Sequence, residues 1–352
     1  MRILLPSSVA AGGSAPQRRH TARALLAAAL LAAALLAAQG CSGDSGGSGG
    51  ATITVPPPPP TPVPTGPVGP LAAGQAYTDG PGYVEYTPGD APVLIIAPHG
   101  GALSPSGLAD RTCSGCVTVN DANTQELART IVEAFRARTG ARPHLLVNRL
   151  HRRKFDANRD RTEATGGGAA LNATWVWFHE AADSARAAIV RRGQRGLVID
   201  LHGHGHAVPR LELGYLLGDA DLRASDATLA GNGAMARSSI ARLAGDSRST
   251  PDRGLGVLRG PRSLGALLAN GGYPAVPSPA DPAPLVGQEY FDGGYNTQRH
   301  GSVFGGPLDA IQIECNFAGV RDSESSRAAF ANAVVNALLV YLDTHYGWRP
   351  AA

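Results

Sequence analysis

Three short apolar runs stand out along the chain, and each ends in residues of a different kind. Val93-Leu-Ile-Ile-Ala97 runs into Pro98, His99 and two glycines. Leu197-Val-Ile-Asp-Leu ends at His202-Gly-His204-Gly-His206, and Ala310-Ile-Gln-Ile313 ends at Glu314. An apolar run of this length bounded by turn residues predicts a strand buried on both faces. Leu145-Leu-Val-Asn148 predicts another. Between the strands the period changes to that of a helix. Leu127, Ile131, Val132 and Phe135 share one face, with Asn123 and Glu126 placed as an N-cap and its capping-box partner. Trp175 to Arg192 predicts a second helix, with Phe178, Ala182, Ala185 and Ile189 on one side and Gly193 as its stop. Phe330, Val334, Leu338 and Tyr341 mark a C-terminal helix. Strands alternating with helices predict an α/β fold, with a mostly parallel or mixed sheet flanked by helices. From Ala207 to Asp309 the pattern is lost in glycine and proline, apart from a helix expected around Ala234 to Leu243. A long irregular stretch in a compact domain is usually functional.

The N-terminal pattern is of another type. Arg18, Arg19 and Arg23 precede 15 residues of only Ala and Leu, Ala24 to Ala38, followed by Gln39, Gly40 and Cys41. A basic region, a short apolar core and small residues at a cleavage point predict an export signal over residues 1–41. The run falls short of the roughly 20 residues a spanning helix needs. Small residues before Cys41 resemble a bacterial lipobox, although Ala38 stands where Leu is usual. Cys41 is therefore expected to be lipidated, anchoring the protein to a bacterial membrane outside the cytoplasm. Gly, Ser and Pro then dominate residues 42–76, a tether of flexible coil and polyproline. The globular domain is expected over 77–352.

Composition narrows the picture further. The 352 residues are 43% apolar, enough for a core, and the net charge of +3 makes no electrostatic case for nucleic acid. Cys113 and Cys116 are the close pair among 4 cysteines and, in an oxidising compartment, are expected to form a disulfide.

If the His-bearing strands are parallel neighbours, His99, His202 and Glu314 gather at the carboxyl edge of the sheet, where open α/β sheets bind ligands. Two imidazoles and a carboxylate there suggest a zinc hydrolase, with three protein ligands and one position left for water. The third ligand stays open between Asp121 and Glu126, the carboxylates nearest His99 in sequence. Asp200 shares a strand face with His202 and is placed to support it from behind. Glu314, at the end of an apolar strand, reads as the general base or as a salt-bridge partner of Arg149 or Arg159. Arginine forks in the cluster Asn148-Arg149 and Asp156-Ala-Asn158-Arg159 match a substrate carboxylate.

Taken in order, Pro98-His99-Gly-Gly, Asn120-Asp121, Asn148-Arg149, Asp156-Ala-Asn158-Arg159, Asp200-Leu-His202-Gly, Gly293-Gly-Tyr295-Asn-Thr-Gln-Arg299-His-Gly301 and Gln312-Ile-Glu314 resemble the N-formylglutamate amidohydrolase family, which is related to the zinc carboxypeptidases. The resemblance implies a phosphorylase/hydrolase-like α/β fold and a Zn2+ ion on His99, Asp121 and His202. It implies Glu314 as base, and Arg149, Asn158, Arg159 and Tyr295 around the substrate. Arg299 is then expected to steady the oxyanion. The carboxypeptidases carry a Glu three residues after the first His; here Ala102 stands in its place. The expected activity is hydrolysis of an amide bond beside a carboxylate, in a small molecule or peptide. A carboxypeptidase or cell-wall endopeptidase, and a non-catalytic binding lipoprotein, are the alternatives.

Overall fold

A computed structural model describes residues 66–67, 69–113, 115–246, 252 and 254–351. Cys41, the expected export signal and most of the expected tether lie outside them. Among the described residues the first strand begins at Tyr77, and eight strands form one mixed sheet. They are β1 (Tyr77–Thr78), β2 (Val84–Thr87), β3 (Val93–Ala97), β4 (His144–Asn148), β5 (Leu197–Gly203), β6 (Leu211–Gly214), β7 (Ala275–Val276) and β8 (Asp309–Cys315). The spatial order is β1-β2-β4-β3-β5-β8-β6-β7. The four central strands β4, β3, β5 and β8 are parallel, and antiparallel pairs join β2 to β4 and β6 to β8.

The apolar runs are continuous because both faces of these strands are covered. Val93, Ile95 and Ala97 pack with the Thr124–Thr139 and Glu324–Tyr341 helices on one side. Leu94 and Ile96 pack with the Asn172–Arg191 helix on the other. The chain leaves β3 for β4 on one flank, then crosses back over β3 to β5 on the other. The strand order therefore reverses beside β3, and a crevice opens at the carboxyl ends there. Val198 of β5 and Ala310 of β8 lie under the Asn172–Arg191 helix. Farther along the same face the strands turn polar, with Asp200, His202, Gln312 and Glu314, all buried.

Two sequence expectations need correction. Asn123 does precede the Thr124–Thr139 helix, but it sits at φ 63° and its side chain caps nothing. Its amide donates instead to the Arg321 carbonyl, 2.8 Å away, and Glu126 is exposed. The expected helix over 234–243 is two pieces, Ala234–Arg237 and Ala241–Asp246, parted at Ser238. The stretch around them folds as short helices and the edge strands β6 and β7. Helices of four to seven residues complete too few turns to show a period.

Candidate metal centre

Each residue of the centre is delivered by a different element. His99 lies just past β3, and its carbonyl accepts the backbone N–H of Asp121 at 3.1 Å, which folds the following loop back over it. Gly101 makes the tight passage possible, since a Cβ there would collide with the backbone carbonyls of Arg149 and Leu150. His202 lies on β5, in register with Glu314 of β8. Parallel register puts their side chains on one face, with His202 Nδ1 4.0 Å from Glu314 Oε1.

The Nδ1 atoms of His99 and His202 are 3.1 Å apart, and Asp121 Oδ2 is 3.2 Å from each. Behind them each imidazole meets a second carboxylate. His99 Nε2 reaches Asp156 Oδ1 at 2.6 Å, and His202 Nε2 reaches Asp200 Oδ2 at 3.1 Å. A carboxylate on Nε2 assigns the proton to that nitrogen and leaves a lone pair on Nδ1. In the neutral imidazoles two lone pairs and a carboxylate oxygen thus converge, with the Gly203 N–H donating to Asp121 Oδ2 at 3.2 Å, and a proton and a metal ion compete for the shared position. Acceptors so arranged repel one another unless a cation lies between them. Tetrahedral bonds of about 2.0–2.1 Å put ligand atoms roughly 3.3 Å apart, close to the spacing found. The donor set of two nitrogens and one oxygen is one that zinc takes.

The electrostatics follow from burial and neighbours. Burial alone would push His202 down, but the charge of Asp200, hydrogen bonds to Asp121 and Asp200, and the charge of Glu314 hold it well above its usual range. Burial would raise Asp156, yet His99, through charge and hydrogen bond, and the Arg152 and Arg159 guanidiniums hold its carboxyl below the usual range. Glu314 is pushed up to about 8, first by burial and then by Asp121, Glu212 and Asp200, with His202 opposing. Gln312 Nε2 donates to its Oε1 at 2.9 Å. Its Oε2 is buried with no hydrogen-bond partner among the described residues. A dication beside it would restore the charged form.

The residues expected around a substrate divide. Asn158 is at the centre: Nδ2 lies 3.3 Å from His202 Nε2, and Oδ1 accepts the Asn296 N–H at 2.8 Å. Asn296 also donates to Asp200 at 3.3 Å, so Tyr295 sits one residue from a group that touches the support of His202. Tyr295, Arg159 and Arg299 meet around Trp175. The Tyr295 ring lies 6.3 Å from that indole, the Arg299 guanidinium 5.4 Å over it, and Trp175 Nε1 donates to the Arg159 carbonyl at 3.1 Å. Arg299 is exposed there, and Arg159 pairs with Glu163 at 2.9 Å. Arg149 is not brought to this group, because its Nη1 donates to the Gly82 carbonyl at 2.9 Å. Cys113 and Cys116 are placed as a disulfide, with Cα atoms 5.3 Å apart.

Three contributors were not singled out by the sequence. Asp156, which the sequence offered only as a member of a motif, is the partner of His99. Arg152 is a cation close behind the centre, held against Asp156 and Asp121. Glu212 of β6 stands opposite Glu314 in register and is fully buried. Its run, Leu-Glu-Leu-Gly, is too short to declare a strand. Glu212 Oε1 meets His206 Nδ1 at 3.0 Å, with His204 nearby. That trio does not make a second metal centre, since both nitrogens of His204 are used. Nε2 reaches the Arg210 carbonyl at 2.8 Å, and Nδ1 accepts the His206 N–H at 3.1 Å.

No protein-family model matches the chain, and no curated protein matches it. Among solved structures it is similar to a gene product of Agrobacterium tumefaciens, at 17% identity and a TM-score of 0.40, over 73% of this chain and 94% of that one. It is similar to an N-formylglutamate amidohydrolase from Ralstonia eutropha, at 14% and 0.40, over 73% and 95%. It is also similar to an N-acetylmuramyl-L-alanine amidase from Mycobacterium smegmatis, at 13% and 0.33, over 71% and 96%. At such low identity and TM-score, the chemistry of this chain rests on its own residues.

Proposed function

We propose that the protein is a zinc-dependent hydrolase that cleaves an amide bond beside a carboxylate, in an N-acyl amino acid or a peptide. One observation carries the reading. Two imidazole nitrogens and a carboxylate oxygen converge within 3.1–3.2 Å, beside a glutamate with an unpartnered oxygen. His99, His202 and Asp121 would hold the ion, which when bound supplies polarisation of the amide carbonyl and activation of water. Asp156 and Asp200 keep the two imidazoles in the tautomer that presents Nδ1. Glu314 takes a proton at Oε2 and returns it to the leaving nitrogen, so the same carboxyl serves as base and then acid. Gln312 keeps the other oxygen in place. The rim of Arg159, Tyr295 and Arg299 around Trp175 supplies cations for a substrate carboxylate. In this reading the protein works outside the cytoplasm, tethered through a lipid on Cys41.

A base is what separates an enzyme from a binding protein, since capture of a ligand needs none. The test is metal analysis of the purified protein, followed by turnover of a panel of N-acyl amino acids, peptides and cell-wall fragments. About one zinc per chain with chelator-sensitive release of an amine is the expected result. Bound metal without turnover of any amide would replace hydrolysis with ligand capture. Failure to bind zinc or another divalent ion would end the reading altogether.

A further inference from the structure

The convergence of His99, His202 and Asp121 leaves one matter to the surrounding residues, namely how many oxygens Asp121 offers. A carboxylate can bind a cation through one oxygen or two. Only the first choice keeps a position free for water in a four-coordinate site. Asp121 Oδ2 faces both imidazoles. Its other oxygen, Oδ1, is turned to Arg152, whose Nη1 lies 3.3 Å away, the one hydrogen-bond partner it has among the described residues.

Arg152 is itself firmly placed. Its backbone N–H donates to Asn120 Oδ1 at 2.8 Å, and Asn120 Nδ2 donates to the Gly101 carbonyl at 2.6 Å. Its carbonyl accepts Arg111 Nη1 at 3.0 Å, and its Nε donates to Asp156 Oδ2 at 3.0 Å. Its side chain is 10% exposed, so the ion pairs are little screened. One guanidinium therefore bridges the carboxylate of the centre to the carboxylate behind His99. Asp156 does not depend on it alone. Asn158 N–H donates to its Oδ1 at 3.0 Å, and Arg111 Nη1 reaches its Oδ2 at 3.5 Å. Removal of Arg152 thus leaves the His99 support largely in place but frees Asp121 Oδ1.

We propose that Arg152 is a positioning residue that holds Asp121 to a single ligating oxygen and so keeps one coordination position open. The inference rests on the metal-site reading above. Without the guanidinium, Oδ1 is free to swing to the cation as an additional ligand beside the water, which raises the coordination number and fills the position the substrate carbonyl would need.

The test uses cobalt(II) loaded into the full protein, because four-coordinate cobalt absorbs visible light more strongly than cobalt of higher coordination. Arg152→Gln is expected to bind one cobalt per chain with an affinity within about tenfold of wild type, and to lose kcat by about 10–100-fold. Its visible bands should weaken and shift to shorter wavelength, which a merely structural role would not produce. Arg152→Lys keeps the charge and one donor, and should fall between the two. An Arg152→Gln spectrum identical to wild type overturns the proposal. If that variant does not fold, Arg152→Lys decides: weakened bands uphold the proposal, and an unchanged spectrum or loss of cobalt overturns it. Wild-type protein that takes up no cobalt or zinc would instead bring down the metal-site reading, and this inference with it.

Discussion

His144 opens β4 at one end of the parallel strands, and His99 and His202 lie past β3 and on β5 at the other. All three are buried to the same depth, at 1%, 1% and 2% exposure. Their neighbours differ. His144 Nδ1 accepts the Gly89 N–H at 3.1 Å and meets the Tyr86 hydroxyl at 2.8 Å. A nitrogen that accepts from a backbone N–H has no room for a proton of its own. Burial, with Arg192 adding to it, pushes His144 down to about 4. His99 and His202 have carboxylates on both sides. Burial therefore does not separate a core histidine from a candidate metal ligand. The charges of its partners do.

The largest test removes the imidazoles. His99→Ala or His202→Ala should each abolish stoichiometric metal binding and turnover, whereas His144→Gln should keep one zinc per chain by elemental analysis. Metal retained after loss of His202 would erase the distinction between the two ends. Next comes Glu314→Gln. Loss of a general acid–base group typically costs about 10²–10⁴-fold in rate, so kcat should drop by that order while zinc and the melting temperature hold. A variant that instead loses zinc would make Glu314 a ligand.

The carboxylates behind the imidazoles should matter less. Asp156→Asn and Asp200→Asn are each expected to weaken zinc affinity by about 10–100-fold in chelator competition. Tyr86→Phe, which removes the matching partner of His144, should leave that affinity alone. The last test reads stability in acid rather than metal binding. Below pH about 6.5 the unfolded chain protonates His144 and the folded chain does not. Stability should therefore be full above that pH and fall as the pH drops towards 4. The loss amounts to roughly 3 kcal/mol. Urea titrations at pH 7 and pH 4.5 should show a shallower acid loss for His144→Gln than for wild type. Equal slopes would mean that His144 is protonated in the fold.

Much of the frame was legible along the chain because its signals are local. The β3, β5 and β8 runs are apolar over their length, and the Leu127 and Phe330 stripes keep helical spacing. Each pattern needs only a few consecutive residues to declare itself. Where elements are short the same reading fails. The pieces around Ala234 and the Leu211–Gly214 strand carry no period, so Glu212 passed unnoticed although it lies opposite Glu314.

The sequence by itself determined which residues lie at the strand ends, since alternation and apolar runs are properties of neighbouring positions. It did not determine which carboxylate meets which histidine. Asp121 is 22 positions from His99 and 81 from His202, and Asp156 is 57 from His99. Sheet order, loop closure and register bring such positions together, and none of these is written in local spacing. Proximity in sequence left the third ligand open between Asp121 and Glu126, and only the resemblance favoured Asp121. The backbone bond from Asp121 to His99 turns one inward, while the helix that follows carries the other out to solvent. Arg152 was one arginine among several in a basic stretch, and only the folded chain sets it between two buried carboxylates.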